Sequence, residues 1–237
     1  MDNRTVIVIG GGPAGMMACS VLSKRVKKVI LIEKNNILGK KLRITGKGRC
    51  NITNSAPIDE FILNVPTNGK FLYSAFYSFT NDDVVNMFEQ LGVKTKVERG
   101  GRIFPESDSA KDVADAMKKN ALKANVEWIK SEAKKLVTDE GRIVGVETDN
   151  GIINGDSVIL ATGGKSYPAT GSDGKGYRMA EEVGHTVVLP KPSLIPIVTK
   201  EKWVSELMGL SLKNVRIAVL KKGTPPAFVL SQDQTLD

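Results

Sequence analysis

The chain has 237 residues, 41% of them hydrophobic, and a formal net charge of +8. With two cysteines and one histidine, neither a disulfide framework nor a metal site built on a histidine pair is expected. No apolar run approaches the roughly 20 residues of a membrane span, and no secretory signal precedes the first strand, so we expect a cytoplasmic protein without a membrane partner. The lysines lie in dispersed pairs without interleaved aromatic residues, which indicates a solvated surface rather than a nucleic-acid partner.

The first apolar run leads directly into a glycine-rich turn. Residues 5–9 predict a strand, residues 10–15 read Gly-Gly-Gly-Pro-Ala-Gly, and Pro13 opens a predicted helix that extends to about Arg25. The N-terminus of such a helix supplies free N–H groups and a partial positive charge for phosphates. The pattern therefore predicts a dinucleotide site at the junction of strand and helix.

Each glycine of this turn has a separate physical role. Gly10 permits the tight turn, Gly12 lets the backbone approach a pyrophosphate, and Gly15 lets the helix pack closely on the strand. A second apolar run at residues 29–32 predicts a strand buried on both faces. Glu33 follows it at the spacing expected for a carboxylate that binds the adenosine ribose. By itself this unit is typical of both NAD and FAD sites.

A long polar loop and three helices are predicted next. The loop covers residues 34–54, and loops of this length are usually functional. The helices are predicted at residues 70–79, 83–91 and 109–124. We expect Asn81 or Asp82 to cap the second helix and Gly92 to end it. The third helix is amphipathic and should bury Val113, Ala114, Met117 and Ala121.

The hydrophobic period then changes to two. Short strands are predicted at residues 127–129, 136–138, 142–148 and 152–153, with turn signals at residues 139–141 and 149–151. We expect this β-meander to lead into a buried strand at residues 157–161.

A last predicted helix and a proline-rich segment close the pattern. Asp173 should cap the helix, which extends through Ala180. His185 follows it and precedes another predicted strand, and we expect it to serve as a structural cap rather than as a catalytic group. Three prolines in seven residues follow Leu189 and predict a domain boundary near Pro190.

Several further segments carry a resemblance to a known family. They are Ala161-Thr162-Gly163-Gly164 after the meander, Gly39-Lys40-Lys41-Leu42, the loop at residues 46–54 with Gly48-Arg49-Cys50-Asn51, and the segments at residues 101–105 and 171–176. Over roughly residues 5–200 the chain resembles the two-dinucleotide-binding-domain flavoproteins. Within them it is most similar to a bacterial family that includes aminoacetone-oxidase-like FAD-binding enzymes and bile-acid-reductase-like oxidoreductases.

The resemblance implies an α/β fold, with an FAD-binding Rossmann-like doubly wound sheet, a β-meander and the start of an inserted, mainly β domain. It places an FAD-binding domain at residues 1–190, lacking its C-terminal closing segment, and the beginning of a substrate domain at residues 191–237. Because family members are longer, we expect weaker FAD binding in this chain.

The implied function is that of an FAD-dependent oxidoreductase. It would transfer hydride through flavin N5, with NAD(P)H or oxygen as co-substrate and a small-molecule substrate. An RNA-modifying flavoprotein and a non-catalytic FAD-binding fragment remain as alternatives.

The resemblance also implies a cofactor site, residue by residue. The pyrophosphate turn would be formed by Gly10, Gly12, Pro13, Ala14 and Gly15, and Glu33 would bind the ribose. The phosphates, ribityl chain and flavin would be contacted by Lys34, Lys41, Gly46, Gly48, Arg49, Cys50 and Asn51. The later strand end would contribute Ala161, Thr162, Gly163 and Gly164.

Two of these residues have simpler alternatives, and no catalytic residue is assigned. An ion pair is the alternative for Arg49. A small buried side chain is the favoured interpretation of Cys50 over a redox or covalent role.

Overall fold

The computed structural model describes residues 2–192 and 198–210. The chain divides into two compact units, Met1–Leu189 and Pro190–Asp237. Their assignment to an FAD-binding and a substrate domain stays a prediction. The described part of the second unit contains a 3₁₀ helix at Lys202–Leu207. No helix in the described ranges is long and apolar enough to cross a membrane.

The described part of the first unit contains ten strands and six α-helices. The strands are β1 Asp2–Ile9, β2 Val26–Glu33, β3 Thr53–Asn54, β4 Thr95–Val97, β5 Arg102–Pro105, β6 Val126–Lys130, β7 Ala133–Asp139, β8 Arg142–Thr148, β9 Gly151–Asn154 and β10 Ser157–Leu160. The α-helices are α1 Pro13–Leu22, α2 Ile58–Leu63, α3 Tyr73–Ser78, α4 Asn81–Gln90, α5 Ala110–Ala121 and α6 Lys175–Glu182.

A parallel four-stranded sheet with the order β10-β1-β2-β6 forms the centre of this unit. Alternate residues of its strands face opposite sides. Val6 and Val8 pack in a cluster that also contains residues of α1 and α5. Ile7 and Ile9 pack with residues of β7, β8 and α6 in a second cluster. This parallel sheet between two apolar layers confirms the Rossmann-like α/β class.

The sheet corrects two expectations about single strands. We predicted β6 as the first strand of the meander, but it pairs in parallel with β2, placing Glu33 opposite Lys130. The meander itself is the antiparallel sheet β7-β8-β9. We predicted β10 as buried, but it lies at the edge of the four-stranded sheet, where Ile159 and Leu160 are each 36% exposed.

Two helices begin at residues other than those that the sequence pattern predicted. Thr80, rather than Asn81 or Asp82, caps α4. Its Oγ1 accepts the Asp83 N–H at 3.1 Å, and the Asp83 carboxylate accepts the Thr80 N–H at 2.8 Å. The predicted helix at residues 70–79 is a 3₁₀ turn followed by α3. In contrast, α5 buries its four predicted apolar residues.

The end of the first unit also differs from the pattern. The N-cap of α6 is Gly174, although the Asp173 carboxylate accepts the N–H of Lys175 at 3.1 Å. The strand expected after His185 is absent from residues 186–192. A small antiparallel sheet with the order β3-β5-β4 was not predicted.

Candidate cofactor site

A cavity of about 440 Å³ opens at the carboxyl ends of β1, β2 and β10. Ligands of doubly wound sheets bind at this edge because the loops that follow parallel strands meet there. The cavity brings together ten of the predicted site residues: Gly10, Gly12, Pro13, Ala14, Glu33, Lys34, Lys41, Ala161, Thr162 and Gly163.

The glycine turn brings backbone groups close together. A Cβ on Gly10 would overlap the carbonyl oxygen of Ala161, and one on Gly15 would overlap the carbonyl oxygen of Gly10. Gly15 does not line the cavity. Its lack of a side chain instead permits α1 to approach the end of β1. Among the residues that the structure describes, only the chain neighbours of Gly12 have heavy atoms within 4 Å of a Cβ built on it. No side chain in the described ranges caps α1, and its first turn contains no acidic residue, so the positive end of the helix is available to an anion.

The carboxylate of Glu33 is fixed beside this turn. Its Oε2 accepts the N–H of Gly11 at 2.7 Å, and its Oε1 accepts the N–H and Nδ2–H of Asn35 at 2.7 and 2.6 Å. These bonds connect the end of β2 to the glycine turn. The carboxylate lines the cavity and retains acceptor capacity for a ribose hydroxyl.

The segment after β10 packs tightly against the same turn. The N–H of Ala161 donates to the carbonyl of Ile9 at 2.8 Å. Gly163 has φ +75°, and a Cβ there would lie 2.6 Å from the Ser172 hydroxyl. Gly164 does not line the cavity and approaches the Tyr177 hydroxyl. Gly176 was predicted only as part of the segment at residues 171–176. A Cβ there would overlap Thr162 Oγ1.

Four lysines line the cavity, in two different electrostatic settings. Lys34 bonds Asp173 at 2.8 Å, and Lys175 bonds Glu132 at 2.5 Å. Lys40 and Lys41 instead donate to backbone carbonyls. Burial raises the pKa of Asp173, but the hydrogen bonds from Lys34 and from the Lys175 backbone outweigh it, so this pKa lies below its ordinary value.

The predicted loop residues Gly46, Gly48, Arg49, Cys50 and Asn51 do not line the cavity. Arg49 forms the ion pairs that we gave as its alternative, with Glu98 and with Asp108, the latter at 2.6 Å. Its guanidinium lies 4.3 Å from the Phe104 ring centroid. The cofactor contacts of this loop therefore stay a prediction.

Cys50 is 1% exposed and belongs to the cluster that packs on α1 and α5. Burial raises the pKa of its thiol, against an opposing hydrogen bond from Thr45. This environment favours the protonated thiol and agrees with a small buried side chain.

The cavity is also lined by polar residues that we did not predict as site residues, among them Asn35 and Ser131. Asn35 lies two positions after Glu33, and Ser131 immediately follows β6. Ser131 is 6% exposed, and its hydroxyl has no hydrogen-bond partner in the described part of the chain. A parallel pairing of β6 with β2 would have indicated Ser131, because it places that residue at the ligand edge of the sheet.

These features fit a dinucleotide cofactor. Gly12 places no side chain of its own at the N-terminus of α1, and a fixed carboxylate stands at the ribose position of such sites. Within the described part of the chain, the buried Ser131 hydroxyl also lacks a hydrogen-bond partner. Buried polar groups are otherwise almost always hydrogen-bonded. The donor set therefore suits a ligand with phosphates at one end and hydroxyl or ring-nitrogen groups at the other.

Comparisons with known proteins agree with this architecture. The family described as "HI0933-like protein Rossmann domain" matches residues 4–229. The chain is 32% identical over 218 residues to a 3-dehydro-bile acid delta(4,6)-reductase of Clostridium scindens, covering 90% of this chain and 52% of that protein. It is 30% identical over 214 residues to a ribosomal RNA dihydrouridine synthase of Escherichia coli, covering 89% and 52%. The chain thus spans about half the length of these relatives.

A solved structure, Sdh1 of Mycobacterium smegmatis in complex with UQ1, shares the fold. It has a TM-score of 0.55 and 18% identity, covering 77% of this chain and 39% of that one.

Proposed function

The chain belongs to the HI0933-like Rossmann family, an FAD-binding family with oxidoreductases among its relatives, and from this premise we propose that it is an FAD-dependent oxidoreductase. The observation that carries the proposal is the open N-terminus of α1 beside the fixed carboxylate of Glu33. Together they offer a positive end for a diphosphate and an acceptor for a ribose.

The proposal assigns separate tasks to the residues of the cavity. The N–H groups at Gly12 and Ala14 would bind the diphosphate, with the Lys41 ammonium as an additional cation. Glu33 would accept from a ribose hydroxyl, and Ser131 would donate to the same end of the ligand. FAD, when bound, supplies hydride transfer at its N5 atom. The protein would position it and exclude water from the apolar strand ends.

The reaction direction that we propose is reduction of a small molecule, with NAD(P)H as the hydride donor that reduces the flavin. Oxygen would be the electron acceptor only in the opposite direction, after the flavin has been reduced by a substrate or by NAD(P)H. Two relatives carry names that denote reduction, a delta(4,6)-reductase and a dihydrouridine synthase. Fold alone does not identify a substrate. The cytoplasmic location stays a prediction from the sequence.

The absorption spectrum of the purified chain tests the proposal most directly. We expect a bound flavin that is identified as FAD after denaturation. Anaerobic addition of NADH or NADPH should bleach it, and recovery in air would identify oxygen as an acceptor. Glu33→Ala should weaken FAD binding, while Glu140→Ala, on an exposed hairpin turn, serves as the control. A protein that takes up no FAD contradicts the proposal, and one that binds FAD without reduction by either nucleotide favours the non-catalytic fragment.

An RNA-modifying flavoprotein is the second candidate. The net charge of +8 and the ribosomal RNA dihydrouridine synthase relatives favour it. Phosphate contacts make RNA binding salt-dependent, so this candidate predicts a ribosomal RNA gel shift that weakens steeply as salt increases. Absence of a shift at low salt would contradict it while leaving the FAD chemistry intact.

A further inference from the structure

Residues 166–170, which we call the strap, lead into the cavity wall, where Thr170 is a lining residue. Side chains from the segment after β2 hold it through its backbone. Lys41 Nζ donates to the Ser166 carbonyl at 2.7 Å, and Lys40 Nζ donates to the Ala169 carbonyl at 2.7 Å. Asn35 Nδ2 donates to the Thr170 carbonyl at 3.2 Å. The strap contains little regular structure beyond a 3₁₀ turn at Pro168–Thr170, and these three hydrogen bonds connect its backbone to the segment after β2.

Asn35 differs from the two lysines because it also contacts the predicted ribose carboxylate. Its Nδ2 donates to Glu33 Oε1 at 2.6 Å as well as to Thr170, and its Oδ1 accepts from Lys40 at 3.2 Å. A primary amide has two N–H donors and a carbonyl acceptor, so one side chain serves all three partners. A Cβ on Gly171 would lie 2.8 Å from this Nδ2, so the close approach of the strap requires a glycine there.

We propose that Asn35 is a positioning residue that sets the orientation of Glu33 and the position of the strap together. The proposal rests on the proposed function, in which Glu33 binds the ribose of FAD. Asn35 acts through Glu33 and Thr170 rather than by contacting the ligand. Aspartate has nearly the same shape but cannot donate to either acceptor, and it would place a second carboxylate beside Glu33. Comparing Asn35→Asp with the wild type therefore separates the effect of the side-chain shape from the effect of its N–H donors.

The first test compares Asn35→Asp and Asn35→Ala with Asn36→Ala, an exposed neighbour of the same type. FAD affinity is measured by the quenching of its fluorescence. Loss of a hydrogen bond to a charged group predicts about a tenfold increase in Kd for both Asn35 variants, while Asn36→Ala should match the wild type. Wild-type affinity in Asn35→Asp would overturn the proposal, because the donors of the amide would then be unnecessary.

A double-mutant cycle with Glu33→Gln tests whether Asn35 acts through Glu33. If it does, Asn35→Ala should cause a much smaller further loss of affinity in the Glu33→Gln background than in the wild type. Equal losses in the two backgrounds would show independent action and overturn the coupling.

The third test measures the stability of the strap in the apoprotein, without FAD. Lys165 immediately precedes it, and mass spectrometry can follow trypsin cleavage of the 165–166 bond in the apoprotein. Cleavage should be faster in both Asn35 variants and unchanged in Asn36→Ala. Unchanged cleavage in all variants would overturn the positioning role. If the wild type binds no FAD, the proposed function fails, and the cleavage rate still decides whether Asn35 holds the strap.

Discussion

At the scale of single residues, the glycines of the turn have two different roles: at some positions a Cβ would overlap other atoms, and at one it would enter open space. Gly15 and Gly10 permit backbone contact between α1 and β1 and between the turn and Ala161, whereas Gly12 opens onto space. The same residue type therefore serves packing at one position and ligand access at another. Sequence spacing alone cannot separate these two roles.

Alanine substitutions should separate the two roles. A methyl group on Gly15 overlaps the Gly10 carbonyl oxygen, so Gly15→Ala should lower the free energy of unfolding by about 1–3 kcal/mol. Gly12 has extended backbone angles that alanine can adopt, with φ −77° and ψ −177°. Gly12→Ala should therefore change unfolding by less than about 0.5 kcal/mol yet weaken FAD binding. Urea unfolding and FAD titration measure the two effects, and equal destabilisation would contradict this assignment.

The unpartnered hydroxyl of Ser131 leads to a second prediction. Because its burial is uncompensated within the described residues, Ser131→Ala should leave the apoprotein equally stable or up to about 1 kcal/mol more stable. If the hydroxyl donates to the cofactor, the same variant should bind FAD more weakly. Ser107→Ala, at an exposed turn, is the matched control. A destabilised apoprotein with unchanged FAD affinity would contradict a ligand role.

At the scale of elements, local periodicity predicted the interior of helices and strands better than their ends. The apolar face of α5 lies where its period placed it, because one amphipathic face determines one orientation. The predicted start of α4 was wrong: its cap is Thr80 instead of Asn81 or Asp82, because the reciprocal bonds between Thr80 and Asp83 determine where the helix begins. Several polar residues in a row each satisfy the general cap preference, and only geometry selects among them.

The cap of α4 gives a prediction at this scale. Thr80→Ala removes the hydroxyl that accepts the Asp83 N–H, and loss of such a cap costs about 1 kcal/mol. Asp82→Ala removes only a charge in the first turn, so it should cost less, about 0.3–1 kcal/mol. Thermal unfolding monitored by circular dichroism compares the two. A greater effect of Asp82→Ala would favour the original assignment.

The ion network around Asp108 connects the loop after β2 to the small sheet. The ammonium of Lys96 and the guanidinium of Arg49 hold the pKa of Asp108 below its ordinary value of 3.8. A carboxylate with a lowered pKa stabilises the fold above its unfolded-state pKa, and this contribution is lost as the pH falls through the folded-state pKa.

Asp108→Asn should therefore lower the urea midpoint near neutral pH and make it decline less between about pH 5 and pH 3. The effect should be small because exposed ion pairs contribute little. Asp139→Asn, at an exposed hairpin end, is the control. Parallel pH profiles of Asp108→Asn and the wild type would contradict the role of the network.

At the scale of the whole molecule, the sequence predicted units that are continuous in the chain and missed pairings between distant segments. The β1–α1–β2 unit and the meander have local signals, namely buried runs, a glycine turn and hairpin turns. The choice of β2 as the partner of β6 depends on segments nearly 100 residues apart, and no local pattern encodes it. The site divides in the same way, since Gly12 and Glu33 were predicted from spacing, whereas Ser131 and the strap enter only through tertiary packing.

The alternation along β1 also limits how this protein can be altered in the laboratory. Val6 and Val8 belong to one apolar layer and Ile7 and Ile9 to the other, so inserting or deleting one residue would exchange every side chain between the layers. It would also displace Gly10 from its position beside Ala161. Libraries aimed at new cofactor affinities should therefore keep the length and register of β1 and vary side chains in the segment after β2 and in the strap, since substitutions there do not exchange the two apolar layers.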